Sequence, residues 1–431
     1  MRNDRPKVLA IAEAANPEWV SVPLVGWSLA HALRGRADLH LVTQVRNREA
    51  ILRAGLVEGR DFTAIDSEAL ARPIWAIAER MRGGGGKGWT TLQAFNALIY
   101  PYFERLVWRQ FGAAIRGGAF DIVHRITPLS PTISSSLAGR CRKAGVPFVL
   151  GPLNGGVPWP DGFDAERRQE KEWLSYLRAG YKALPGRGAT LKHADTILVG
   201  SRHTEGEVPE RYRDKTIYLP ENAIDPARFN RVATPPKDGP LRACFVGRLV
   251  PYKGADMLIA AAAPMLRDGR MVLDIIGDGP MMAPLKAQAT AEGVTNAITF
   301  HGWMAHDTVQ NVMAECHLFA FPSIREFGGG VVLEAMALGV PPLIVDYAGP
   351  GELVQDAWGL KVPCGSRADI IRAFADQLGR LCADRSRLTA MSRAGRDRVQ
   401  SHFTWDRKAE QVLQVYDWVL RDGKKPEPMA G

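Results

Sequence analysis

The stretch REFGGGVVLEAMALG, Arg325 to Gly339, follows an apolar run, HLFAFPS (His317 to Ser323), and runs on into a helix-like VVLEAMAL. Strand, tight turn and helix in that order form the repeating unit of a doubly wound α/β domain. Glu326 and Glu334 bracket three consecutive glycines, Gly328, Gly329 and Gly330. Successive glycines let the backbone come close to a ligand and expose its N–H groups. A helix beginning directly behind them adds a positive dipole end, so the turn suits an anion, above all a phosphate. Two carboxylates beside a phosphate would repel it unless they bind something else. Hydroxyls of a sugar and of a ribose are the groups that fit, and together they describe a nucleotide sugar.

Outward from this turn the same rhythm repeats. After residue 240 the chain reads RACFVGR, MLIAAAAPMLRDG, MVLDIIGDG, PLKAQATAEG, AITFHG, LFAFPS, VVLEAMALG and PPLIVD, strand-like and helix-like by turns. The first half does likewise with KVLAIAEA, VGWSLAHALRGR, LHLVTQV, FDIVHRI, SSSLAGRCRKAG, PFVLG and DTILVG. Such alternation predicts parallel sheets covered on both faces. Between the halves, ENAIDPARFNRVATPPKDGP (221–240) is rich in proline and polar residues and reads as a linker. The expected organisation is a domain over 1–224, a second over 225–402, and a C-terminal helix and tail over 403–431. In two doubly wound domains facing a cleft, ligands belong at the C-terminal ends of the strands.

Composition narrows the class. The chain has 431 residues, enough for two or three domains, with 46% hydrophobic and 23% charged residues, the balance of an ordinary soluble globular protein. The five cysteines are scattered and show no C-x-x-C pair, which speaks against a zinc site or a disulfide framework and for a reducing, cytoplasmic setting. The apolar run Val8 to Ala12 is cut short by Glu13, too short for a signal peptide, and Met257 to Leu266 is about half a membrane span and contains Pro264. A net charge of +9 fits a basic surface or an anionic membrane as a further partner. No nucleic-acid motif accompanies it, so nucleic acid is not expected.

Two segments break the rhythm. GGGGKG (83–88) precedes WTTLQAFNALIYPYFERLVWRQFGAAI, an aromatic-rich helical stretch interrupted by Pro101. It reads as a helix packed on the sheet or as a hairpin facing an acceptor or a membrane. AERRQEKEWLSYLRAGYKALPGRG (165–188) carries Trp173, Leu174, Leu177 and Tyr181 at helical spacing, the pattern of a cover helix or of an amphipathic segment on lipid.

A second constellation, FVGRLVPYKGADMLIAA (245–261), puts Gly247 at a strand end with Arg248 and Lys253 in the following loop. Cations there can neutralise a diphosphate and stabilise it as a leaving group. DIIGDGPMMAPLK (274–286) begins like a dinucleotide fingerprint, but its third glycine position is Met282, so it reads as a tight strand-to-helix turn. Asp-x-Asp occurs nowhere in the chain, which leaves the diphosphate to these cations, with neither metal nor cofactor expected.

The C-terminal half resembles the donor domain of retaining glycosyltransferases of family 4, which have the GT-B fold of two Rossmann-like domains. The resemblance rests on GRLVPYKG (247–254), IGDGP (276–280), FHGWM (300–304), the E-x7-E spacing of Glu326 and Glu334, EAMALGVPPLIVD and the helix-like FTWDRKAEQVLQVYDWVL (403–420). It implies transfer of a sugar from a nucleotide diphosphate sugar to an acceptor with retention at the anomeric carbon. Arg248 and Lys253 would bind the diphosphate and Glu326 the hydroxyls of the transferred sugar. Gly247 and the backbone from Phe327 through Gly328, Gly329 and Gly330 to Val331 would line the donor. Glu334 would hold the ribose, and the main chain near Met304 the base. The alternative within the fold is an enzyme that binds a nucleotide sugar without transferring it, such as an epimerase.

The N-terminal half matches less closely. FDIVHRITP (120–128) resembles the family's strand followed by H-x-H, so His124 takes the first histidine's catalytic place, with Ile126 in the second. In NPEWVSVPLVGW (16–27) only Gly26 remains of a glycine-rich first loop, and GPLNGGVPWP (151–160) supplies Asn154, Gly155 and Gly156 as acceptor-loop candidates. A lipid-linked glycan or polysaccharide precursor at the inner face of the cytoplasmic membrane is the expected acceptor.

Overall fold

The computed structural model describes residues 5–69, 89–155, 157–169, 186–421 and 423–428. The chain divides into two compact units. One comprises Met1–Gly156, Lys171–Glu221 and Trp405–Ala430, the other Val157–Glu170 and Asn222–Thr404.

The first unit holds a sheet of β1 (Lys7–Ala12), β2 (Asp38–Gln44), β3 (Phe62–Ile65), β4 (Ile122–Thr127), β5 (Phe148–Leu153), β6 (Thr196–Val199) and β7 (Thr216–Tyr218). All strands run parallel, in the order β3-β2-β1-β4-β5-β6-β7. A strand sends alternate side chains to opposite faces, and both faces of a parallel sheet are buried. β1 shows this directly. Val8, Ala10 and Ala12 join a cluster with Trp27, Leu29 and Leu33 of helix Val22–Arg34 and with Ala409, Val412, Val415 and Tyr416 of helix Trp405–Arg421. Leu9 and Ile11 join the opposite cluster, with Tyr100, Phe103 and Val107 of helix Trp89–Arg116. The aromatic-rich stretch is therefore a helix packed on the sheet. It runs through Pro101, which stands on the exposed side, where the carbonyl freed by the missing N–H is open to solvent rather than sealed in the core. Trp173, Leu174, Leu177 and Tyr181 lie outside the described residues.

The second unit repeats the plan with β8 (Leu241–Val246), β9 (Met271–Ile276), β10 (Ile298–Gly302), β11 (Leu318–Phe321), β12 (Pro342–Asp346) and β13 (Leu360–Pro363). These too are parallel, in the order β10-β9-β8-β11-β12-β13. The order reverses between β8 and β11, which pair through Leu318 with Ala243 and Phe319 with Cys244. A doubly wound sheet opens a crevice at such a reversal, because the helices after the two strands leave toward opposite faces. The linker stretch belongs to this unit: Ile224 and Phe229 are buried in its core, and the Ile224 amide donates to the Phe403 carbonyl at 2.7 Å. All five cysteines are free thiols.

Candidate active site

Both chemistry-bearing loops of the second unit leave the two strands that flank this reversal. β8 runs into Gly247, Arg248 and the short turn Pro251–Lys253, then into helix Ala255–Arg267. β11 runs through Ser323, Arg325 and Glu326 into helix Gly330–Leu338. Each helix is entered through a glycine in the left-handed region, Gly254 at φ 75° and Gly329 at φ 62°, and neither has a side-chain cap. Only glycine takes that conformation without strain. The capping glycine of each helix thus offers no side-chain acceptor to the first-turn N–H groups, an arrangement suited to binding an anion.

Lys253 and Glu326 meet here as an ion pair, Nζ to Oε2, with both side chains largely buried. The ammonium also lies 5.1 Å from the centre of the Phe321 ring. Burial pulls its pKa down, but the Glu326 charge, Tyr252 and the bond to Glu326 outweigh that and hold it above the ordinary lysine value. The lysine is therefore a fixed cation. Arg248 is exposed at the end of β8, and Phe327, Gly328, Val331, Glu334 and Met304 are all half-buried. A cation and an acid in contact, beside two uncapped helix N-termini, can bind an anion and a polyhydroxyl group side by side.

The IGDGP turn supports this site. The Leu249 amide donates to the Asp278 carbonyl at 2.9 Å, and the Met281 amide to the Leu249 carbonyl at 3.0 Å. A Cβ on Gly277 would stand 1.9 Å from the Gly247 carbonyl oxygen. The glycine thus lets the β9 loop press against the β8 loop, and the motif is a tight turn, as the sequence suggested.

The first unit's candidates serve differently. His124 sits within β4, fully buried. Its Nε2 is 2.7 Å from the Gly151 carbonyl and its Nδ1 2.7 Å from the Tyr416 hydroxyl. A carbonyl only accepts, so Nε2 carries the proton and Nδ1 accepts from Tyr416. Desolvation by burial lowers its pKa to about 4, so the ring is neutral at pH 7. Both nitrogens are engaged inside the unit, so in this structure His124 ties β4 to β5 and to the C-terminal helix. Gly26 is also a packing residue, since a Cβ there would lie 2.1 Å from the Ala14 carbonyl oxygen. Asn154 is 5% exposed and accepts from the Gly155 amide at 2.8 Å, while its Nδ2 has no partner among the described residues. The Gly155 carbonyl accepts from the Thr204 hydroxyl at 3.3 Å. Gly156 lies outside the described residues.

Sequence reasoning missed three contributors. Arg325 is buried with its guanidinium over the rings of Trp159 and Phe327, and the Gly349 amide donates to the Glu326 carbonyl at 3.2 Å. Trp303 is 77% exposed immediately before Met304. Only Trp303 carried a local signal, its place in FHGWM. Among the described residues no group of three or more His, Cys, Asp or Glu is placed to hold a metal, and no helix is long and apolar enough to cross a membrane.

Residues 227–398 match the family described as Glycosyl transferases group 1. Glycogen synthase of Mycobacterium tuberculosis is 30% identical over 242 residues, 55% of this chain and 58% of that protein. A GDP-mannose-dependent alpha-(1-6)-phosphatidylinositol monomannoside mannosyltransferase of the same species is 36% identical over 178 residues, 39% of this chain and 45% of the other. The chain spans about half the length of the curated relatives it matches. Among solved structures, Anabaena HepE in complex with UDP superposes with a TM-score of 0.62 at 16% identity, over 95% of this chain and 99% of that one. Residues 227–398 are therefore similar to the group 1 glycosyl transferases, and the chain carries the GT-B fold.

Proposed function

We propose that the chain transfers a sugar from a nucleotide diphosphate sugar to an acceptor hydroxyl, with retention at the anomeric carbon. The observation that carries this reading is the Lys253–Glu326 pair at the sheet reversal, beside the uncapped N-terminus of helix Gly330–Leu338. The mannosyltransferase relative is named for a GDP-mannose donor and the Anabaena neighbour was solved with UDP, which supports a nucleotide-linked donor.

On donor binding Lys253 turns from Glu326 to the diphosphate, together with Arg248, the Gly247 backbone and the helix N–H groups from Gly328 to Val331. Glu326, released from the lysine, accepts hydrogen bonds from the sugar hydroxyls, with Phe327 beside it. Glu334 takes the ribose hydroxyls, and the chain at Met304 lines the base. The bond between the anomeric carbon and the diphosphate oxygen breaks, and its electron pair stays on that oxygen. The acceptor oxygen bonds to the same face of the carbon, and its proton passes to the departing phosphate oxygen. Glu326 stabilises the positive charge that develops at the ring. The cations and helix termini neutralise the leaving group, so no metal takes part. Turnover in excess EDTA should equal turnover without it.

The acceptor is a lipid-linked glycan or polysaccharide precursor, met by Asn154 and Gly155 at the C-terminal end of β5. The net charge of +9 supports a chain that works at an anionic inner membrane surface. The test supplies UDP- and GDP-sugars with lipid-linked and soluble acceptors and follows nucleoside diphosphate release, product mass and anomeric configuration. Release in step with a glycosylated product of retained configuration is expected. Nucleotide sugars left intact, or altered without an acceptor, would refute transfer. Equal turnover on both acceptors without vesicle binding would refute the membrane part.

A further inference from the structure

The segment 157–169 interrupts the first unit in sequence but packs within the second. Val157 and Phe163 are buried, and Phe163 belongs to the second unit's hydrophobic core. Behind it, in the short helix Asp164–Gln169, Glu166 Oε1 stands 3.6 Å from Arg367 Nη1. Arg367 also binds Asp256, in the first turn of helix Ala255–Arg267. Ahead of it, the Tyr347 hydroxyl donates to the Pro158 carbonyl at 2.9 Å. The segment is thus fixed at both ends.

Between these anchors stands Trp159, half-buried. Its ring meets that of Tyr252 edge-on, at 6.0 Å and 90°. The Arg325 guanidinium lies over the indole at 5.1 Å and over the Phe327 ring at 5.3 Å, and Arg325 is 6% exposed. Edge-to-face aromatic pairs and cation–aromatic stacks both gain strength when withdrawn from water. Tyr252 and Arg325 are the immediate sequence neighbours of Lys253 and Glu326. The Tyr252 carbonyl further accepts from the Ile324 amide at 3.0 Å and the Ser323 hydroxyl at 3.3 Å. One indole therefore touches both loops that carry the charged pair.

We propose that Trp159 is a positioning residue for the donor site. It pins Tyr252 and Arg325, and through them sets the separation and orientation of Lys253 and Glu326. The proposal rests on the donor-site reading above. A site whose polar groups drift by an ångström loses about a hundredfold in rate, and the neighbours that lock those groups carry that precision.

The test compares wild type with Trp159→Phe, Trp159→Leu and Trp159→Ala, and uses Phe163→Ala as a control for loss of the segment's core anchor. Calorimetric binding of UDP- and GDP-sugars, steady-state kinetics for donor and acceptor, and thermal melting are read side by side. Phenylalanine keeps a ring for both contacts and should hold donor kcat/KM within about threefold. Leucine and alanine should lower it about 10- to 100-fold, with acceptor KM unchanged and melting well above the assay temperature. Should alanine impair folding, leucine, which keeps the bulk without a ring, decides. Wild type that binds donor while the leucine variant binds and turns over equally well would overturn the positioning role and leave the donor-site reading standing. Wild type that binds no nucleotide sugar would overturn both.

Discussion

At the scale of single residues, the Lys253–Glu326 contact could be a structural ion pair or a pair that ligand chemistry separates, and a charge swap tells these apart. Lys253→Glu combined with Glu326→Lys restores the pair, so its melting temperature should stay near that of wild type. Activity should stay lost, because the cation and the acid have exchanged substrates. Glu326→Gln or Lys253→Met alone should cost roughly 10²- to 10³-fold in kcat, about 3–4 kcal/mol of transition-state stabilisation. His124 makes a prediction in pH. Its folded pKa of about 4 lies below the ordinary value, so the unfolded chain binds the extra proton first. The stability it supplies is complete above about pH 6.5 and is lost as pH falls toward 4, on the order of 3 kcal/mol in all. His124→Phe should be destabilised at pH 7, with Gly151 and Tyr416 left unpaired, and that deficit should narrow in denaturant melts at pH 4.5. These residues also mark what the sequence could disclose. Arg248, Lys253, Glu326 and Glu334 stood out as candidates because residue type and spacing suggest their chemistry, and the structure brings Lys253 and Glu326 into contact. The contact of His124 with Tyr416 was hidden because that hydroxyl lies near the other end of the chain, and Trp159 was missed because both its partners arrive from remote loops.

At the scale of elements, the loops rather than the helices set the site's precision. Gly277→Ala would drive a Cβ into the Gly247 carbonyl and push the β8 loop toward the donor, so donor affinity should fall at least tenfold. Gly379, in helix Arg367–Ala383, has nothing within 4 Å of an added Cβ. Gly379→Ala should leave donor binding unchanged and stabilise the fold by about 0.5–1 kcal/mol, which makes it the matched control. Helix Trp405–Arg421 carries a different liability. Lys408 is 1% exposed, its Nζ has no hydrogen-bond partner among the described residues, and desolvation, partly offset by Glu221, lowers its pKa to about 7. The unfolded chain holds that proton up to about pH 10, so the burden is greatest at and below pH 7 and fades as pH rises. Lys408→Met should raise the melting temperature at pH 6–7, with the gain shrinking toward pH 10. Most strands read correctly from sequence are buried on both faces, although β10 was read while standing at a sheet edge with only Ile298 fully buried. The three strands not foreseen, β3, β7 and β13, are three or four residues long and lie at sheet edges, where one neighbour is missing and fewer side chains must be apolar.

At the scale of the whole molecule, the two units are interlaced along the chain. The second borrows 157–169 from within the first, and the first is completed by Trp405–Arg421, beyond the second. Deleting residues after Thr404 would strip Ala409, Val412, Val415 and Tyr416 from the cluster that covers one face of the first sheet. Burying a valine-sized side chain contributes roughly 1.5–3 kcal/mol, so the loss rivals a domain's whole stability. Hydrogen exchange on the truncated chain should rise across β1, β2 and β4, with β8 to β12 still protected; uniform exchange in both sheets would contradict this division. The same interlacing has a consequence for birth on the ribosome. Domains generally close in the order they are made, at about 5–20 residues per second. Here the amino-terminal sheet must wait with one greasy face bare while residues 222–404 are translated, roughly 10–40 s at those rates. Meanwhile the later unit already has its borrowed segment in hand. The nascent chain finishes its second half first, and that interval is when a chaperone has something to hold.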